Sequence, residues 1–229
     1  FMGIDQITID ISLNKKIRQI LYDLKFNNSN SPIYDMFELT REIMRYTNLN
    51  QFVDDIFIYS PDLDIIFTNA AKYTPELFFE LVIPYTDVTY EDWKNILEQY
   101  HHRKMMPSKT VRDARGVYDI MLYMHSIDID MDNIKDATIV FVVRDERITE
   151  IASAVNEINE STTYIVDRNG VILTSIGKNQ YSYPDIMNNL YGNNNPTLDY
   201  ALSNKLYFAA ELGMPILVCR GTYMQKIAE

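Results

Sequence analysis

The chain has 229 residues, 47% of them hydrophobic and 23% charged, which suffices for one large core or two modest ones and excludes a disordered composition. Its 21 Lys and Arg against 32 Asp and Glu leave a net charge of −11. That charge repels phosphate backbones, so bulk nucleic-acid binding is excluded, and it works against docking on anionic lipid. The only cysteine, Cys219, cannot form an internal disulfide and sits in the apolar run Pro215–Cys219, where it reads as a small buried hydrophobe. No stretch reaches the ~18–20 apolar residues of a membrane span, and no signal peptide is visible. Both ends read as cut edges of a longer protein.

The first segment is helical. Leu13, Ile17, Ile20 and Leu24 recur at three-and-four spacing, and Ile4, Ile7 and Ile11 continue the stripe one offset earlier. Asn27–Pro32 breaks it, and a second helical stretch runs from Pro32 to Thr47. Forty-odd residues of near-continuous helix span ~60 Å, the length of a stalk. The apolar stripe serves either as a dimer seam or as a face packed along both lobes of one subunit.

From Gln51 the period changes to that of strands. Phe52–Tyr59 and Ile65–Thr68, separated by a Ser-Pro-Asp turn, form a hairpin. Thr74-Pro75-Glu76 opens a helix over Leu77, Phe78 and Leu81. Thr89 caps another, with Asp92 three residues on and Trp93, Ile96 and Leu97 as its apolar face. Tyr100–Thr110 reads as a long connection. Gly116–Ile129 is a long strand, Ala137–Val143 a buried one, and a helix follows over Glu146–Glu157. A second hairpin pairs Thr163–Val166 with Val171–Thr174 around Asn169-Gly170, a dipeptide that tolerates positive φ. Asn188–Asn195 is loop, and two closing strands follow at Lys205–Ala210 and Met214–Arg220. Two similar hairpins about 110 residues apart suggest a duplicated lobe.

Catalytic motifs are missing: no Gly-rich phosphate loop, no dinucleotide fingerprint, no zinc-protease helix and no nucleophile elbow. The adjacent His101 and His102 cannot share one helix face, so they read as a solvated loop and not as a metal site. Asp128-x-Asp130-x-Asp132 fails as a calcium loop, because Asn133 and Ile139 stand where Gly and Glu are needed; it reads as a strand edge. Arg112, Asp113 and Arg115 cluster before a strand, where they either hold a charged ligand or solvate a loop. Neither a metal nor a cofactor is called for, and the chain is not expected to be an enzyme.

The segment Asp54–Pro61 with Ile65-Ile66-Phe67, then Tyr90-Glu91-Asp92-Trp93 on a helix, resembles bacterial double-Cache extracytoplasmic sensor domains. The look is that of the domains on membrane-anchored AraC-type regulators and sensor histidine kinases of Firmicutes. Thr138–Val143 matches the end of the membrane-distal lobe, and Tyr164–Ile172 the opening hairpin of the membrane-proximal one. The resemblance implies an α+β chain: stalk helices at 1–50, a PAS-like antiparallel lobe at 51–157 and a second at 158–229. It implies transmembrane helices on both sides, and a small-molecule pocket in the distal lobe. Trp93 and Tyr90 are the candidate ligand contacts, with Tyr118 or Tyr123 as an aromatic wall and Arg112 as a charged contact at the mouth. The Arg-x-Trp-Tyr pattern of amino-acid-binding members is absent, since Glu91 and Asp92 precede Trp93. Two functions follow: an extracellular sensor that binds an unidentified small molecule and drives a cytoplasmic output domain, or an interaction module for a protein or cell-wall component. A hydrolase built on buried carboxylates is a third, more distant reading.

Overall fold

The computed structural model describes residues 2–48, 53–129, 136–148, 150, 163–166 and 171–176. The chain divides into two compact units, Phe1–Ile176 and Gly177–Glu229. The second lies outside the described residues, as do the Asn169-Gly170 tip, Cys219 and the two closing strands.

The N-terminal segment is three helices: α1 (Met2–Leu13), α2 (Lys15–Lys25) and α3 (Pro32–Thr47). This corrects the expectation of a near-continuous rod. Asn14 is the break: its side-chain oxygen accepts the Lys16 and Ile17 backbone N–H groups and caps α2. The one-residue offset in the isoleucine stripe marks that interruption. After the turn at 26–31 the chain folds back, so α3 runs antiparallel to α2. Asn14 meets Tyr46, and Lys16 meets Glu38 and Glu42.

Among the described residues eight strands follow: β1 (Asp55–Ser60), β2 (Ile65–Thr68), β3 (Lys72–Tyr73), β4 (Lys104–Asp113), β5 (Gly116–Ile127), β6 (Ala137–Arg144), β7 (Thr163–Val166) and β8 (Ile172–Ile176). Helices α4 (Pro75–Leu81) and α5 (Tyr90–Glu98) lie between β3 and β4. The first six strands form one antiparallel sheet in the order β3-β2-β1-β6-β5-β4; β7 and β8 form a separate antiparallel pair. The class is α+β, and both expected hairpins pair as the sequence implies, with Ile58 opposite Phe67 and Ile165 opposite Thr174. Residues 145–148 are helical, the start of the helix expected after β6.

The segment expected as a connection, Tyr100–Thr110, contains most of β4. Its pattern was masked by Pro107, which lacks an N–H and sits at a bulge: Met106 pairs with Leu122, but the next partner of Ile120 is Lys109. The β4–β5 turn closes at Gly116, whose φ of 132° is a conformation side chains disfavour.

Alternation assigns the two sheet faces. Ile56, Ile58, Phe67, Met121, Tyr123, Ile139, Phe141 and Val143 pack with the buried stripes of α1, α2 and α3. Phe57, Tyr59, Ile66, Ile120, Leu122, Met124, Val140 and Val142 pack with Phe78, Trp93 and Leu97 of α4 and α5. Ile4, Ile7, Ile11, Ile17, Ile20 and Leu24 are therefore buried on this chain's own sheet. Among the described residues, no helix is long and apolar enough to cross a membrane.

Phe141 is wholly buried and meets Tyr123 edge-on at 5.6 Å. Phe141→Ala is expected to cost about 3–5 kcal/mol in urea unfolding. A loss below about 1 kcal/mol would contradict its central place.

Candidate functional site

The α4–α5 face of the sheet holds a layer of aromatic rings. Thr74 and Thr89 start the two helices by accepting the N–H groups of Leu77 and Asp92. These caps set the phase that turns Phe78 and Trp93 inward. Trp93, 2% exposed, lies 6.1 Å from Phe78 in a stacked pair, 5.4 Å from Phe79 and 6.3 Å from Tyr90. Phe78 in turn contacts Phe57 of β1 at 4.7 Å, and Phe79 contacts Tyr85 at 6.1 Å. Burial pushes the Tyr85 phenol far above its ordinary range. Among the described residues, the buried Trp93 Nε1 has no hydrogen-bond partner. A buried donor left unpaired loses its hydration without recompense, which distinguishes Trp93 from a ring that merely fills space.

At the end of the same sheet face the rings give way to charge. Tyr118 donates to Asp113 Oδ2 at 2.7 Å, and Arg115 binds Asp113 through its backbone N–H at 2.8 Å and its Nε at 2.7 Å. Burial raises the Asp113 carboxyl, but the bonds from Arg115 and Tyr118 outweigh it and hold the group down at about 2. The Arg144 guanidinium lies 4.4 Å from the Tyr118 ring centroid, a cation–π distance, and its backbone N–H donates to Asp54 at 2.9 Å. Asp55 differs from its neighbours. Among the described residues no Lys or Arg nitrogen lies within salt-bridge distance of it, and its bond is to the adjacent Ile56 N–H at 2.8 Å. Burial pushes its carboxyl up to about 6, against the pull of that N–H and of Arg115.

The candidate residues therefore separate. Trp93, Tyr90 and Tyr118 share one face. Tyr123 lies on the other, where its hydroxyl donates to Asp5 of α1 at 2.6 Å. Five residues apart on one strand, Tyr118 and Tyr123 must point to opposite sides. Arg112 is exposed and out of phase with buried Val111; its backbone N–H donates to Pro84 at 3.0 Å. Asp113 and Arg115, which the sequence left between ligand contact and loop solvation, are bound into the Tyr118 cluster. Tyr85 and Asp55 were missed. The phase of Asp55 with Phe57 and Tyr59 was the available signal.

His101 also departs from expectation. It is buried, its ring Nε2 lies 2.6 Å from the Ile96 carbonyl oxygen and its backbone N–H donates to Ser126 at 2.9 Å, fastening the end of α5 to β5. Asp130 and Asp132 lie outside the described residues. Among the described residues, no group of three or more His, Cys, Asp or Glu is gathered as a metal site.

No family model and no curated protein sequence matches this chain. Solved structures similar to it include two domains. One is the extracellular domain of a protein described as a histidine kinase, vpHK1S-Z8, at 12% identity and a TM-score of 0.42, covering 85% of this chain and 64% of that one. The other is a domain of a sensory box/GGDEF family protein from Vibrio parahaemolyticus, at 11% identity and a TM-score of 0.42, covering 84% of this chain and 68% of that one. This chain thus spans less than two thirds of the length of the first. Similarity at this level leaves function to the residues themselves.

The sign of the Asp55 effect is testable. A carboxyl raised in the fold favours the folded state more as pH falls through about 6, since the cost of its buried charge is relieved there. Asp55→Asn is expected to stabilise the protein by about 2 kcal/mol at pH 8. The gain should shrink as pH falls through about 6 and vanish only near pH 4, at the carboxyl's unfolded value, in urea titrations; a gain that does not change with pH would assign the effect to packing.

Proposed function

We propose that this chain is the extracytoplasmic ligand-sensing domain of a bacterial transmembrane signalling protein. In this reading it catalyses nothing. It binds a small molecule on the sheet face covered by α5 and passes the signal, through flanking transmembrane helices, to a cytoplasmic AraC-type or histidine-kinase output domain. The observation behind it is the buried Trp93 indole N–H that no acceptor among the described residues satisfies. Such a donor, set among rings on the sheet face that also carries Tyr118, suits an apolar ligand surface with one acceptor atom. The cluster's charges are already paired to each other, which fits recognition better than proton transfer. A bound ligand would act by favouring one of two arrangements of α5 against β1, β5 and β6.

A second reading has its own support. The rings around Trp93 pack at ordinary contact distances, and α3 exposes Ile33, Tyr34, Phe37 and Met44 to solvent. An interaction module for a protein or cell-wall component would use that face and leave the α5 side filled.

A thermal-shift screen against sugars, amino acids and organic acids separates the two, because a ligand that binds the folded state raises its melting temperature. The expected result is a hit whose shift is lost in Trp93→Phe, which keeps a ring but removes the N–H, and is retained in Ile165→Ala. Equal shifts in both variants would move the site elsewhere. No shift for wild type across the panel would favour the interaction module.

A further inference from the structure

The face opposite Trp93 carries a polar cluster that the ligand-sensing reading does not use. His125 of β5 and His102, just before β4, are 23 positions apart in sequence, yet their rings lie 5.4 Å apart between centroids. His102 is exposed, whereas His125 is half-buried with its Nδ1 fully covered. Among the described residues no hydrogen-bond partner reaches that Nδ1. Two residues along β5, Tyr123 donates to Asp5 of α1, and Arg103 stands 3.9 Å from the same Asp5 oxygen. Asp5 is thus the polar foot of α1 on the sheet, in a helix otherwise held by Ile4, Ile7 and Ile11.

We propose that the His102–His125 pair, with Asp5, Arg103 and Tyr123 around it, is a proton-sensitive latch between α1 and the sheet.

The chemistry follows from the neighbours. A neutral imidazole can leave Nδ1 bare, but an imidazolium carries a proton on both nitrogens, and here one of those N–H groups is buried without an acceptor. His102 and Arg103 bring like charge from the α5–β4 connection; Asp5 brings the opposing carboxylate from α1. The residue opposite on β6 is apolar Ile139, and Lys104 of β4 pairs with Met124, out of phase with His125. Burial is the largest of the forces that lower the His125 pKa, followed by His102 and Arg103, with Asp5 pulling the other way. A histidine lowered in the fold contributes stability that is full above its free value near 6.5 and is lost as pH falls through the folded one. Protonation also turns His125 into a competitor with Tyr123 and Arg103 for the Asp5 carboxylate. Acidification therefore loosens the footing of α1 first, while α3, fastened by Lys16 to Glu38 and Glu42, has no histidine partner among the described residues.

The test is hydrogen exchange on the 229-residue chain, corrected for intrinsic rates, at pH 7.5 and 5.0, with the His125 ring titrated by NMR. Protection of the α1 amides is expected to fall at least threefold at pH 5.0 relative to α3, and to stay level in His125→Gln. His102→Gln should move the His125 midpoint up in pH and Asp5→Asn should move it down, so the proposal stays testable if His125→Gln does not fold. Equal loss of protection in α1 and α3, the same loss in His125→Gln, or a midpoint that neither neighbouring substitution moves would overturn it.

Discussion

The structure depends on one strand that has no solvent side. From Ala137 to Val143 every side chain of β6 is buried, and its backbone is paired on both edges, to β1 and to β5. A strand buried on both faces requires an apolar layer above and below it. The three N-terminal helices supply one layer, and α4 with α5 supply the other. Everything else about the fold's two faces follows from that requirement. The Trp93 layer and the α1 footing are alternate side chains of the same three central strands, so a shift of β1, β5 or β6 on one side is felt on the other.

Polar contacts fix where the helices sit on these apolar surfaces. Glu38 and Glu42 of α3 are nearly inaccessible, and Lys16 of α2 reaches both, at 2.5 and 3.0 Å. The hydrogen bond from Lys16 holds the Glu38 carboxyl below its ordinary value, and the same pair raises the lysine. Lys25 at the end of α2 meets the buried Asp136 that also accepts the Ile129 N–H. At the far end of β6, Arg144 meets Asp54 just before β1. Apolar burial alone would let the helices slide by a turn at little cost. Charged groups that lose their partners when they slide set one register.

Much of this was legible from local chemistry. The β1–β2 hairpin announced itself through Ser60-Pro61-Asp62, the α5 start through Thr89 and Asp92, and β6 through its unbroken apolar run. What escaped reading depended on distance or on phase. The break at Asn14 was visible only as an offset, since Asn is uncommon but tolerated inside a helix. β4 was hidden by Pro107 and by methionines at Met105 and Met106, which carry no strand signature. Tyr123 was grouped with Trp93 although its odd spacing from Tyr118 puts it on the other face. The pairing of His102 with His125 was beyond local reading, because it exists only once β4 and β5 are in register. The same holds for the orphaned indole N–H of Trp93, which is a property of what surrounds the ring and not of the ring.

The β1–β6 ladder has a consequence for the order in which the protein is made. Its partners lie about 80 positions apart, and contacts so distant in the chain close late, because the loop entropy must be met before the pairing rewards it. During synthesis the β1–β2 hairpin emerges with β1's second edge open and with Ile56, Phe57 and Ile58 uncovered. Such an intermediate is a template for pairing between nascent chains. The helices α1–α3 precede it out of the ribosome and can cover one of its faces at once; the open edge must wait for Ala137–Arg144. Chaperone demand for this protein should therefore peak between the emergence of β2 and that of β6, and fall once β6 closes the sheet.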